Sequence, residues 1–286
     1  MEDNKVFKVR PFDNEILREY DIRGIVNKNL NDNTAYTIGI TFGSIVYNKT
    51  PNKNVVVAYD GRLTSPKLHK ALCKGLIDAG INLISIGLSP TPLLYFATHY
   101  LEMDAGIMVT GSHNPPEYNG FKMVLDKKPF YSKQILELQN IAKQNNFELK
   151  KGKYKEVNIL NEYSLRVLRN IKLKRKLKIA WDPGNGSVGV TIHGVLSKLE
   201  NCENYVINDK VDGNFPNHHP DPTIPKNLFQ LKDLVIKEKC DLGIAFDGDG
   251  DRLGVLDNKG KIVWADQYMI LLAEEISKHY KKAPII

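Results

Sequence analysis

The chain has 286 residues, of which 42% are hydrophobic and 26% charged, with a formal net charge of +7. This composition is typical of a soluble globular protein and suffices for about two domains. The excess of basic over acidic residues favours an anionic partner. However, the basic run KLKRKLK (172–178) has no interleaved aromatic residues, so we predict no nucleic-acid partner.

We predict neither a targeting segment nor a membrane-spanning segment. The opening MEDNKVFKVRPF lacks the apolar region of a secretory signal, and no run approaches the roughly 18 apolar residues of a membrane span. Cys73, Cys202 and Cys240 lie far apart without a CxxC pair, which is typical of buried thiols in a reducing compartment. We therefore expect a cytoplasmic protein without a membrane partner.

Strand and helix patterns alternate through the first half of the chain. The run NVVVAYD (54–60) predicts a strand, and leucines then recur at helical spacing between Ser65-Pro66 and Gly80. The following segments predict, in order, a strand, a helix, a strand and a helix: INLISIG, PTPLLYFATHY, AGIMVT and SKQILELQNIAKQ. This alternation predicts a largely parallel sheet covered by helices on both faces.

A polar, lysine-rich stretch at 145–157 predicts a domain boundary, after which the alternation restarts. Strands are predicted for LKIAWD, NYVIND and DLGIAFD, a hairpin for LGVLD to KIVWAD, and helices for VTIHGVLSKL, TIPKNLFQLKDLVIKEKC and DQYMILLAEEISKHY. We predict two consecutive three-layer α/β/α domains with mixed, mostly parallel sheets, at 1–153 and 154–258. The beginning of a third domain follows at 259–286, where APII (283–286) is typical of a strand start.

Three aspartates occur together in FDGDGDR (246–252), directly after a predicted strand. Alternating glycines allow Asp247, Asp249 and Asp251 to face one point, where their repulsion favours a bound cation. Oxygen ligands suit Mg²⁺, Mn²⁺ or Ca²⁺. An EF-hand loop is excluded because Arg252 stands where that loop requires glycine. Since this arginine could meet a phosphate, the pattern predicts a metal site that serves phosphate chemistry.

Ser112 lies in TGSHNPPEYNGFK (110–122), a loop that two prolines exclude from regular structure. Alone, the serine could simply cap a turn. A hydrolase nucleophile is poorly supported, because Asn114 replaces the last glycine of G-x-S-x-G. Beside a divalent ion, however, a serine hydroxyl could carry a phosphoryl group, with His113, Asn114 and Lys122 as nearby donors.

A competing pattern is WDPGNGSVG (181–189), in which three glycines fit G-x-G-x-x-G between a predicted strand and helix. Asp209 follows about 20 residues later, as in dinucleotide-binding folds, so a nicotinamide-dependent dehydrogenase is an alternative function. Pro183 distorts the first turn, and this alternative leaves Ser112 and the aspartates unexplained. A tight strand-to-helix turn is the favoured interpretation of these glycines.

Six motifs together resemble those of the α-D-phosphohexomutases, in family order, and most closely the phosphomannomutase/phosphoglucomutase group. They are REYDIRG (18–24), YDGRLTSP (59–66), TGSHNPPEYNGFK (110–122), WDPGNGSVG (181–189), FPNHHPDPT (215–223) and FDGDGDRLGVLD (246–257). Gly111 supports this group, because the phosphoglucosamine mutase branch typically has alanine there.

The resemblance implies an enzyme that interconverts hexose 1-phosphate and hexose 6-phosphate through a phosphoserine and a hexose 1,6-bisphosphate. Ser112 would carry the phosphoryl group, and Asp247, Asp249 and Asp251 would bind Mg²⁺ together with the serine phosphate. The remaining implied roles are catalysis by Lys122, Arg23 and His113, and binding of substrate or phosphate by Tyr20, Asn114 and Arg252. The adjacent His218 and His219 do not resemble a metal-binding pair and are expected at a domain contact.

The family folds as four domains around one cleft, and this chain resembles the first two with the start of the third. We therefore expect an N-terminal half with little complete mutase activity alone, because half of the substrate-binding cleft would be missing. A C-terminal half could come from the full-length protein or a separate chain. The alternatives are a non-catalytic metal-binding or complementing fragment and, less favoured, the dehydrogenase.

Overall fold

The computed structural model describes residues 6–280, which form two sheets flanked by helices. The predicted strand start at 283–286 lies outside the described residues. Within them, no helix combines the length and the apolar character required to cross a bilayer.

The first sheet has seven strands in the order β1-β5-β4-β2-β3-β7, with β6 paired to β5. These are β1 (Ile22–Ile25), β2 (Asn54–Tyr59), β3 (Asn82–Leu88), β4 (Ala105–Val109), β5 (Tyr118–Leu125), β6 (Lys128–Pro129) and β7 (Lys153–Glu156). Strands β4, β2, β3 and β7 pair with one another in parallel, and β5 pairs antiparallel with β1, β4 and β6.

Helices cover both faces of this sheet, because its central strands are apolar on both sides. On β2, Val55 and Val57 pack into one core, and Val56 and Ala58 pack into the other. The first core includes α1 (Asp32–Lys49), α2 (Ser65–Asp78) and α4 (Lys133–Gln144), and the second includes α3 (Thr91–Tyr100) with residues at the start of α5 (Leu160–Leu168).

The second sheet has the order β12-β11-β10-β8-β9. Its strands are β8 (Leu177–Asp182), β9 (Cys202–Val206), β10 (Leu242–Phe246), β11 (Leu253–Asp257) and β12 (Ile262–Val263), and its helices are α6 (Gly189–Leu196) and α7 (Phe229–Glu238). The helices pack into separate cores on the sheet, α7 against Ala180 and Ala245, and α6 against Trp181 and Phe246. Helix α8 (Ala265–His279) follows with no buried residue.

The predicted pair of mixed α/β domains is confirmed, although antiparallel pairings are more numerous than the alternating pattern indicated. Sequence reasoning missed α1 and the antiparallel strands β1 and β5. The domain limits at 153 and 258 remain predictions. Strand pairing favours slightly later limits, because β7 joins the first sheet through Glu156 and β12 joins the second through Val263.

Stability should depend on pH through His69, a histidine on α2 that is 8% exposed. Burial lowers its pKa to about 4, and attraction by Glu156 offsets this only in part. An unfolded histidine has a pKa of about 6.5, so the contribution of the neutral ring is complete above that pH and is lost as the pH falls towards 4. We expect acidification from pH 7.5 to 4.5 to remove about 2–3 kcal/mol through this residue.

Urea unfolding of the wild-type chain and of His69→Gln at both pH values measures this contribution. The glutamine variant should show the shallower pH dependence, since its buried side chain does not titrate. Equal pH dependence in the two proteins would contradict the assignment.

Candidate active site

Ser112 lies on the loop between β4 and β5, and its backbone has a φ of +50°. This left-handed conformation is uncommon for a residue with a Cβ atom and is maintained only where the surroundings fix it. The Ser112 amide donates to Thr110 Oγ1 at 2.8 Å, and its carbonyl accepts from the Arg62 guanidinium at 2.8 Å. The serine is only 1% exposed, so the surrounding protein holds its backbone and hydroxyl in place.

Arg62 anchors the whole serine loop from within the protein. Its guanidinium donates to four loop carbonyl oxygens, those of Ser112, Asn114, Pro115 and Tyr118. Arg62 Nε lies 3.3 Å from Asp60 Oδ2, and each side chain is 1% exposed. Asp60 also accepts from Thr110 Oγ1 at 2.8 Å and the Gly111 amide at 3.1 Å. A Cβ atom at Gly111 would lie 2.4 Å from Arg62 Nε, so in this chain glycine leaves room for the guanidinium beside the serine.

The aspartate loop follows β10 and meets the serine loop directly. Ser112 Oγ donates to Asp247 Oδ2 at 2.8 Å, although the residues are 135 positions apart. Asp247 Oδ1 accepts the amides of Asp251 and Arg252, both at 3.1 Å. A Cβ atom at Gly248 would lie 2.5 Å from the Ser112 carbonyl oxygen, so glycine permits this approach. The two predicted loops therefore form one site between the two sheets.

Asp247, Asp249 and Asp251 each offer a carboxylate oxygen within 4.8 Å of the others. Asp249 Oδ2 accepts from Thr91 Oγ1 and Lys122 Nζ, both at 2.6 Å. Its other oxygen, Oδ1, is buried and has no hydrogen-bond partner among the described residues. A buried carboxylate oxygen without a donor is costly, and a cation would satisfy it. The three aspartates could therefore bind a hard metal ion.

The electrostatics of the cluster also favour added positive charge. Burial, together with repulsion from Asp249 and Asp251, raises the pKa of Asp247 to about 8. Burial alone would also raise the pKa of Asp249. Attraction by the Lys122 ammonium, with its hydrogen bond, outweighs the effect of burial and lowers that pKa. Lys122 also forms an ion pair with Asp251, and the two carboxylates raise the lysine pKa despite its own burial. Lys122 is therefore a charged ammonium in this arrangement.

A cavity of about 580 Å³ adjoins Ser112 and brings together most of the predicted site residues. Its lining includes Tyr20, Arg23, Ser112, Lys122, Asp251 and Arg252. Tyr20 is 78% exposed at the rim, and its ring lies near that of Tyr131. A larger cavity of about 680 Å³ beside His69 contains none of the predicted site residues.

His113 and Asn114 support the same site from the serine loop. His113 Nδ1 lies 3.3 Å from Ser112 Oγ. Burial, followed by repulsion from Arg252 and Arg23, lowers the pKa of His113, so its ring is neutral near pH 7. Asn114 Oδ1 accepts from Arg23. All the predicted catalytic and binding residues therefore lie on or next to this cavity, and their individual roles remain predictions.

The structure also identifies supporting residues that sequence reasoning did not assign. Asp60 and Arg62 hold the serine loop, Thr91 contacts Asp249, and His219 Nε2 donates to the His113 carbonyl at 2.6 Å. The YDGRLTSP motif contains the first two residues and was the available signal for them. The expected domain contact at His219 is present, whereas His218 turns away to Asp182, at 2.9 Å.

The glycine-rich turn after β8 supports the aspartate loop. A Cβ atom at Gly186 would lie 2.8 Å from the Gly248 carbonyl oxygen, and the Ser187 amide donates to that oxygen at 2.9 Å. Asp209, the acid of the alternative dinucleotide pattern, contacts His193 Nε2 at 2.6 Å. The close packing of Gly186 against the aspartate loop therefore explains this glycine without a bound dinucleotide.

Two family models match the chain: phosphoglucomutase/phosphomannomutase α/β/α domain I at residues 14–149 and domain II at residues 160–260. A phosphomannomutase/phosphoglucomutase from Pseudomonas putida is 44% identical over 271 residues, covering 95% of this chain. A phosphoglucomutase from Neisseria meningitidis is 41% identical over 274 residues. The chain spans 58% of the Pseudomonas relative's length and 59% of the Neisseria relative's.

Solved structures with a similar fold include a protein of the same family. A phosphoglucomutase/phosphomannomutase family protein from Burkholderia thailandensis has a TM-score of 0.88 at 41% identity, covering 94% of this chain and 60% of its own. A phosphoglucomutase from Paramecium, at 18% identity, has a TM-score of 0.73 and shares the fold.

Proposed function

Because the chain belongs to the phosphoglucomutase/phosphomannomutase family, we propose that its two domains carry the phosphoserine and metal-binding chemistry of a phosphohexomutase. The complete reaction would interconvert a hexose 1-phosphate and a hexose 6-phosphate. Ser112 would donate its phosphoryl group to one sugar oxygen and recover a phosphoryl group from the other. The contact between Ser112 Oγ and Asp247 Oδ2 carries this proposal, because it places the hydroxyl beside the three carboxylates.

In the first transfer, a sugar hydroxyl oxygen forms a bond to phosphorus as the bond from phosphorus to Ser112 Oγ breaks. In the second transfer, Ser112 Oγ forms a bond to the phosphorus of the other phosphate as the bond from that phosphorus to its sugar oxygen breaks. In the first transfer the sugar hydroxyl loses its proton and Oγ gains one, and in the second Oγ loses its proton and the departing sugar oxygen gains one. Asp247 Oδ2 is nearer to Oγ but is assigned to the metal ion, so His113 would carry the proton: its Nδ1 lies 3.3 Å from Oγ, and its lowered pKa keeps the ring neutral. Arg23 and Lys122 would face the transferring group across the cavity, with Lys122 exchanging a proton when free of its aspartates.

Asp247, Asp249 and Asp251 would hold Mg²⁺, which when bound neutralises charge on the transferring phosphoryl oxygens. Tyr20, Asn114 and Arg252 would bind a phosphorylated hexose, including a hexose 1,6-bisphosphate that primes the serine. We further propose a cytoplasmic location. For full turnover we propose a C-terminal half, on the same or a separate chain, since the relatives extend beyond the matched region.

Intact-mass measurement and peptide mapping after incubation with glucose 1,6-bisphosphate and Mg²⁺ test the proposal. We expect one phosphoryl group on the peptide containing Ser112. Ser112→Ala is the matched control, because it removes the acceptor oxygen from a buried position without adding volume. An unlabelled wild-type chain, or equal labelling of the alanine variant, would overturn the proposal for these 286 residues.

A further inference from the structure

Thr91 joins the two domains at the metal-binding cluster. It is the first residue of α3 and is fully buried. Its hydroxyl donates to Asp249 Oδ2 at 2.6 Å, and its amide donates to the Asp249 carbonyl oxygen at 2.8 Å. A single residue of the first domain thus holds both the side chain and the backbone of an aspartate 158 positions away.

These contacts determine which oxygen of Asp249 remains for a cation. Oδ2 accepts from both Thr91 and Lys122, whereas Oδ1 is buried without a hydrogen-bond partner among residues 6–280. Two donors on one oxygen fix the rotation of the carboxylate. Lys122 Nζ also pairs with Asp251 and sits on a flexible stem, whereas the Thr91 hydroxyl is short and held by a helix. Thr91 is therefore the more rigid of the two donors.

We propose that Thr91 is a positioning residue for the metal site, which orients Asp249 so that Oδ1 faces the ion. The inference rests on the metal-binding role proposed above and adds a residue from outside both predicted loops. It also makes metal affinity depend on the contact between the domains, since Asp249 follows a strand of the second sheet and Thr91 begins a helix that packs on the first. Residues that orient metal ligands typically change metal affinity 10–100-fold when replaced.

Titration of the chain with Mn²⁺, followed by electron paramagnetic resonance of the free ion, tests this role. Thr91→Val keeps the shape and the amide but removes the hydroxyl, and we expect its Kd to rise 10–100-fold. Thr91→Ser keeps the hydroxyl and should remain within about threefold of wild type. Thr98→Val is the matched control on the same helix, because the buried Thr98 hydroxyl donates to the Tyr95 carbonyl oxygen within that helix and not to the aspartate loop. Its Kd should not change.

Circular dichroism verifies that each variant is folded. If Thr91→Val does not fold, Thr91→Ala replaces it in the same comparison. A hydroxyl-free variant that binds Mn²⁺ as tightly as wild type would overturn the inference. So would a Thr91→Ser protein that is weakened as much as the hydroxyl-free variant. A wild-type chain that binds no Mn²⁺ would instead overturn the metal site of the proposed function.

Discussion

Replacement of Asp249 by asparagine should slow phosphoryl transfer to Ser112 by about 10³-fold, because a bound cation contributes several kcal/mol of transition-state stabilisation. The variant loses the charge of the only carboxylate oxygen among residues 6–280 that is buried without a hydrogen-bond partner. The amide can still accept from Thr91, and one of three mutually repelling carboxylates is removed. Lys122 keeps its ion pair with Asp251 but loses the one with Asp249, whose pKa it lowers, so we also expect a moderate loss of thermal stability.

Two measurements test this prediction, the Kd for Mn²⁺ and the rate at which the phosphorylated Ser112 peptide accumulates. In Asp249→Asn, the Kd should rise and the rate should fall. Asp233→Asn is the control, since it makes the same chemical change at an exposed position on α7 of the same domain. An Asp249→Asn protein with wild-type affinity and rate would exclude this aspartate as a metal ligand.

The two central loops could be predicted because each has an unusual local composition directly after an apolar strand. The aspartates follow β10, and the serine loop follows β4. Carboxyl ends of parallel strands commonly form the binding edge of such sheets. The sequence therefore predicts Ser112 and the three aspartates as site residues, and the structure brings them into contact.

The supporting residues could not be predicted because their roles arise from contacts far along the chain. Arg62 has the sequence pattern of a turn residue, and only the fold brings its guanidinium under a loop about 50 residues away. Thr91 resembles an ordinary first residue of a helix until Asp249 is placed against it. The strand β7 was hidden for a different reason: all four of its residues are exposed, so its sequence lacks an apolar pattern.

Replacement of Arg62 by methionine should lower the free energy of unfolding of the first domain by about 3–5 kcal/mol, the usual cost of breaking a buried ion pair. The variant would leave the Asp60 carboxylate buried without its counterion and would remove the donor from four loop carbonyl oxygens. The left-handed backbone of Ser112 would then lose its main support. We therefore expect loss of serine phosphorylation together with the loss of stability.

Urea unfolding followed by far-ultraviolet circular dichroism measures this effect, since both tryptophans of the chain, Trp181 and Trp264, lie outside the first sheet. Arg166→Met, at an exposed position on α5, is the control and should unfold at the wild-type urea concentration. The double variant Asp60→Asn/Arg62→Met should be less destabilised than the sum of its single variants, because it no longer buries an unpaired charge. If the two effects simply add, Arg62 stabilises the loop through its carbonyl contacts alone, and the charge of Asp60 contributes nothing.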